Sequence, residues 1–235
     1  MCQDPKMQVR KRERILEVHM KNHKFNVTFK CKCNLNLGTC ENLDHPRKME
    51  AIAGTQFVEG WSLGKYNGRK GKYGQLVYDY KWLRESSVNS YQKDPEETAN
   101  EVFEAALYFV RNYFNYFDKY IDTVFPVPGS TGKHASLAKA LTKRFAAEGY
   151  KEIPNFLQIK PGDSVRSQSG KQARMQILNQ QVSLSSNDAK DFGARGVLFL
   201  DDVYETGATM THMANLFRQI DTATDIYFLT VAYDI

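Results

Sequence analysis

Three acids and a Thr-Gly turn lie within nine residues near the end of this chain: Asp201, Asp202 and Glu205, then Thr206-Gly207-Ala208-Thr209. Adjacent carboxylates accept hydrogen bonds from a vicinal diol or hold a hard divalent cation such as Mg²⁺ through water. A Gly-containing turn that opens a helix presents backbone N–H groups, with Thr hydroxyls beside them, to a phosphate. Together these suit a phosphorylated sugar.

The elements needed to position them can be read from the flanking residues. Val197, Leu198, Phe199 and Leu200 form an apolar run between Gly196 and Asp201, as in a short parallel strand covered on both faces, with the acids at its carboxyl end. Met210, Met213, Leu216, Phe217 and Ile220 then repeat at helical spacing. Open α/β sheets hold their ligands at that end of their strands.

At these residues the chain resembles a type I phosphoribosyltransferase, whose signature is a hydrophobic strand, two acids, two spacers and a Thr-Gly-x-Thr loop. The resemblance implies that Asp201 and Asp202 face the ribose hydroxyls of phosphoribosyl pyrophosphate, with Mg²⁺ as cofactor, and that the residues from Glu205 to Thr209 wrap the 5′-phosphate. An acid beside a phosphate is electrostatically unfavourable, so Glu205 should serve something else. In the 6-oxopurine transferases an acid stands at this place, and Glu205 resembles their general acid/base. The alternative is that Glu205 points to solvent and only its backbone N–H matters.

Ile121 to Pro128 reads as the preceding strand and Ala135 to Ala147 as a helix, with Gly129-Ser-Thr-Gly-Lys-His134 between them. This is no Walker A loop, because two residues rather than four separate the glycines and His134 stands where Ser or Thr would hold Mg²⁺. By the same resemblance this loop binds pyrophosphate through Ser130, Thr131, Gly132 and Lys133. The Val-Pro-Val-Pro-like strand end and the pair Lys81-Trp82, after a Tyr-Gly stretch, narrow the likeness to ComF-like phosphoribosyltransferases. So does Gln168-Ser-Gly170 followed by Asn179, although Gln176 replaces the usual Arg and Arg174 lies two places earlier.

The stretch from Lys160 to Arg195 lacks a strong period and is too long for an idle connector. By the same resemblance it is a mobile loop before the signature strand, whose Arg166, Lys171 and Arg174 either close over pyrophosphate and stabilise the leaving group's charge or are solvated loop charges. Pro95-Glu-Glu opens a helix whose Val102, Phe103, Ala106, Phe109 and Val110 face the core. Asp225 to Tyr233 is another buried strand.

The N-terminal portion differs in character. Residues 1–50 carry eleven Lys or Arg against six Asp or Glu, which accounts for the whole net charge of +5. Such a portion is either a solvated face or a surface for nucleic acid or another anionic partner. Segments at Arg14 to Met20, Lys24 to Cys33 and Thr55 to Leu63 alternate like strands. All four cysteines, Cys2, Cys31, Cys33 and Cys40, fall here; Cys31, Cys33, Cys40 and His45 are a zinc option, free thiols in a small sheet the default. No run of 18 apolar residues and no leader pattern is present, so the expected location is cytoplasmic.

With 235 residues, 42% of them hydrophobic, the chain can bury a sizeable core. The expected fold is α/β, a mainly parallel sheet flanked by helices over residues 71–235, with a basic, strand-rich N-terminal portion over 1–70. Tyr66 to Gly74 reads as a Gly/Lys-rich hinge between them. The expected activity is phosphoribosyl transfer from phosphoribosyl pyrophosphate, or binding of a nucleotide, in a homo-oligomer or a larger complex. Two alternatives stand beside it: a non-catalytic, nucleotide-responsive or nucleic-acid-associated accessory protein, and a nucleotide-degrading effector within a complex.

Overall fold

Phe125, Phe199 and Phe228 stand at matching register positions on three neighbouring parallel strands and stack across the sheet, with ring centroids 5.4 and 5.1 Å apart. Phe217 closes on Phe199 edge-on at 6.1 Å. Offset and edge-on aromatic pairs of this kind add about 0.5–1.5 kcal/mol each beyond the area they bury. They fix the middle of the molecule.

The computed structural model describes residues 46–49, 59–67, 70–82, 94–111, 121–128, 136–152, 157–160, 162, 165, 168–184, 194–221 and 224–234. In chain order the elements are β1 (Arg47–Met49), β2 (Glu59–Lys65), α1 (Lys72–Trp82), α2 (Pro95–Phe109), β3 (Thr123–Pro126), α3 (Leu137–Ala147) and β4 (Lys151–Glu152). They continue with β5 (Leu157–Ile159), α4 (Lys171–Gln181), β6 (Val182–Leu184), β7 (Gly196–Tyr204), α5 (Ala208–Arg218) and β8 (Asp225–Tyr233). The main sheet runs β1-β2-β8-β7-β3-β4; all neighbours are parallel except β1, which is antiparallel to β2. A separate antiparallel pair joins β5 to β6. The expected mainly parallel α/β sheet is thus present.

Each face of the sheet buries its own set of side chains. Because successive residues of a strand point to opposite sides, Leu198 and Leu200 of β7 join Val124, Leu229 and Trp61 beneath α1, α2 and α3, while Val197 and Phe199 join Phe125, Ile226 and Phe228 beneath α5 and α4. Both faces are dry, as a parallel sheet requires. α2 begins as its sequence dictates: Pro95 is its first residue, and the Asp94 carboxylate accepts the Glu96 N–H at 3.0 Å. α3 is capped by Ser136, whose hydroxyl accepts the Lys139 N–H at 3.3 Å.

Three parts of the chain depart from the sequence reading. The Lys72, Tyr73 and Gly74 end of the expected hinge is the first turn of a helix, held on the sheet by the buried Tyr73, Leu76, Val77 and Tyr80. β2, upstream of residue 70, pairs along its length with β8 in the main sheet. The expected mobile loop contains α4 and β6, and α4 packs on α5 through residues such as Leu178 and Met175. The strands expected at 14–20 and 24–33, the four cysteines and His45 lie outside the described residues. Among the described residues no helix is long and apolar enough to cross a membrane.

Candidate functional site

Chain direction opens a crevice in this sheet. β3 leads into α3 on one face and outward to β4, whereas β7 leads into α5 on the other face and back toward β8. Adjacent parallel strands whose following helices depart to opposite faces leave a gap at their carboxyl ends, where open α/β sheets take ligands. β3 and β7 are that pair.

The gap begins at Leu200. Pro126 is the last β3 residue in register, opposite Leu200, and the Val127 N–H donating to Leu200 O at 2.8 Å is the final link beyond it. β7 itself runs on to Tyr204 against β8, with Asp201 opposite Thr230 and Tyr204 opposite Tyr233. The strand is therefore longer than the apolar run, and both acids are strand residues. The Asp202 N–H donates to Asp201 Oδ1 at 2.8 Å, and the Val203 N–H donates to Asp202 Oδ1 at 2.7 Å.

Each of the next two acids has a basic partner from another element. Asp202 Oδ2 pairs with Lys81 Nζ, from the last turn of α1, and Glu205 pairs with Arg174 of α4. Arg174 also donates through Nε to Gln168 O at 3.0 Å, which fixes the guanidinium toward the turn. Burial, and next the neighbouring Asp202 charge, push the Asp201 carboxyl well above the usual carboxylate range; the Asp202 N–H and the Lys81 ammonium only partly oppose this. Burial beside a second carboxylate thus favours the protonated form of Asp201, the condition under which a cation would be welcome.

The turn after β7 has the features of an anion cradle. Gly207 has φ of 70°, a conformation glycine adopts without penalty, and as N-cap of α5 it brings no side chain to that helix's first free amides. The Gly207 carbonyl instead accepts both the Thr211 N–H and the Thr211 hydroxyl, at 2.9 and 2.8 Å. Thr206 Oγ1 takes the Ala208 N–H at 3.4 Å. Gly207 and Ala208 are buried, with Thr206 and Thr209 half-buried on either side.

Of the residues singled out from sequence, Asp201, Asp202, Glu205, Thr206, Gly207, Ala208, Thr209 and Arg174 lie together at this end of the sheet. Lys171 opens α4, one turn before Arg174. Ser130, Thr131, Gly132, Lys133 and Arg166 lie outside the described residues. Lys81 was singled out only as half of the Lys81-Trp82 pair; its contact with Asp202 is the addition, and it joins residues remote in sequence, so no local pattern reports it.

Among the described residues no cluster of three or more His, Cys, Asp or Glu is gathered as a metal site. Asp201 and Asp202 alone fit Mg²⁺ of the kind that keeps its waters and takes further oxygens from a phosphorylated substrate. No family model matches this chain, and no curated protein matches it. The fold and site define an open, mainly parallel α/β sheet with an acidic pair at the carboxyl end of β7, beside its topological switch point.

Proposed function

We propose that the crevice binds phosphoribosyl pyrophosphate, or a nucleotide of the same ribose 5-phosphate, and that the protein transfers the phosphoribosyl group to an acceptor. The supporting observation is the carboxylate couple Asp201–Asp202 at the open end of β7, followed at once by the Gly207 turn into α5. The ribose hydroxyls donate to the two carboxylates, and the 5′-phosphate lies against the amides of Gly207, Ala208 and Thr209. Asp201 and Asp202 would hold Mg²⁺, which would supply positive charge to the diphosphate.

As the bond from ribose to diphosphate breaks, positive charge develops on the sugar and negative charge on the departing group. Orientation in a fixed crevice and stabilisation of that negative charge supply most of the rate. Ser130, Thr131, Gly132 and Lys133 are the expected diphosphate contacts, with Arg174 and Lys171 closing from α4. For Glu205 to handle a proton of the acceptor, Arg174 must first leave it, since the two form an ion pair.

Isothermal titration with phosphoribosyl pyrophosphate and Mg²⁺ tests the assignment. Saturable binding to the wild type, lost in the Asp201→Asn, Asp202→Asn double variant, is the expected result; equal binding by both proteins would sink it. A second reading, binding without turnover, is favoured by that same engaged Glu205. Pyrophosphate release across a panel of purines, pyrimidines and small amines separates the two.

A further inference from the structure

Lys81 brings a basic side chain into contact with the carboxylate couple, and it comes from neither β7 nor the turn that follows. Its ammonium holds Asp202 Oδ2, while Oδ1 of the same carboxylate takes the Val203 N–H. Lys81 and Asp202 are only 20% and 22% exposed, so this contact is sheltered from solvent screening. α1 is fixed to the sheet by Tyr73, Leu76, Val77 and Tyr80, on its buried side. The Lys81 side chain can therefore swing on its four-carbon stem without the helix shifting.

Two cations cannot share one carboxylate oxygen without strong repulsion. Resting on the reading of the site given above, we propose that Lys81 is an exchangeable internal counter-ion: a divalent cation arriving at Asp201 and Asp202 displaces its ammonium, which then binds the phosphoryl oxygens that enter with the cation. The apo crevice stays neutralised by its own lysine, and a metal–diphosphate ligand replaces one ion pair by two. Free cation competes with the lysine and binds weakly. Cation and diphosphate together bind cooperatively, because the diphosphate gives the displaced ammonium a partner.

The test uses the full chain with two probes, Mn²⁺ alone, followed by the resonance of the free aquo ion, and inorganic pyrophosphate at saturating Mn²⁺, followed by calorimetry. Lys81→Met should bind Mn²⁺ about tenfold more tightly and pyrophosphate about tenfold more weakly than the wild type, by removal of one unit charge from a partly buried site. Lys81→Arg should follow the wild type in both. Opposite signs are expected of an ammonium that opposes the cation and joins the diphosphate; shifts of the same sign would mark a contact that only holds the structure.

Shifts of equal sign, no shift, or no Mn²⁺ binding by any of the proteins overturns the exchange. Should Lys81→Met fail to fold, Lys81→Gln is read in its place. Phosphoribosyl pyrophosphate binding, measured in parallel, keeps the two ideas apart. If the wild type binds it and Lys81→Met shows no opposed shifts, the exchange fails and the functional reading stands; if opposed shifts occur without sugar-phosphate binding, the exchange stands and the sugar assignment fails.

Discussion

Arg174, in the first turn of α4, and Glu205, in the turn after β7, form an ion pair across 31 residues of chain. Their side chains are 16% and 22% exposed, so the contact is partly sheltered. It ties the α4, β5 and β6 unit to the mouth of the crevice, and under the proposed function it links the base expected to meet a diphosphate to the acid expected to handle a proton. A ligand that claims Arg174 frees Glu205.

A double-mutant cycle with Arg174→Ala and Glu205→Gln should give a coupling energy of about 1 kcal/mol, the upper end for pairs that keep some contact with water. Urea denaturation of the four proteins measures it. A coupling near zero would mean that the pair does not tie α4 to the turn.

Asp201 gives a pH dependence with a definite sign. Its folded-state pKa is raised by burial and by Asp202, so between the unfolded value near about 4 and the folded value the native state holds more protons. Its contribution is most favourable below pH ~4 and is lost as pH rises through the folded pKa. Asp201→Asn should therefore raise the melting temperature at neutral pH and flatten the loss of stability above pH ~4. Melts across pH 3.5 to 8 check both parts, and a variant no more stable than the wild type at pH 7 would refute the assignment.

His212 works in the other direction. It is 3% exposed on α5, burial lowers its pKa despite a partly opposing contact with Val182 O, and Nε2 lies 3.3 Å from that carbonyl. A carbonyl only accepts, so Nε2 carries the proton. The stability that depends on a neutral ring is present above the unfolded pKa of about 6.5 and is lost as pH falls toward the folded value. His212→Gln should weaken this acid sensitivity. Hydrogen exchange in Val182 to Leu184 that quickens below pH 6 in the wild type, and not in the variant, is the expected result.

Gly207→Ala should cost about 1 kcal/mol, because φ of 70° is strained for any residue with a Cβ. Thermal melts give the cost, and titration with inorganic phosphate gives the effect on the turn. Phosphate affinity should fall as well. An alanine variant as stable as the wild type would show that the turn relaxes out of that conformation.

The site's core was legible in sequence because its determinants are local: an apolar run, two acids and a glycine turn follow one another without interruption, and β7 and α5 form where that order requires. α4 was not legible. Leu178 is its only fully buried residue, so it has almost no apolar stripe to reveal its period. α1 was obscured because two of its four buried anchors are tyrosines and its first turn is rich in Gly and Lys. β2 alternates Trp61 and Leu63 with Gly60, Ser62 and Gly64, a pattern that suits a half-exposed strand, yet β2 is buried over Glu59 to Gly64. Its partner β8 lies at the far end of the chain, and the Lys81–Asp202 contact is non-local for the same reason. Neither pairing has a local pattern to report it.

The opposite departures of α3 and α5 have a practical corollary. A hollow formed by the routing of the chain does not depend on the groups that line it, so neutralising Asp201, Asp202 or Lys81 should leave soluble protein with an intact cleft. Loss of binding in such variants can then be read as lost chemistry rather than as collapse of the scaffold.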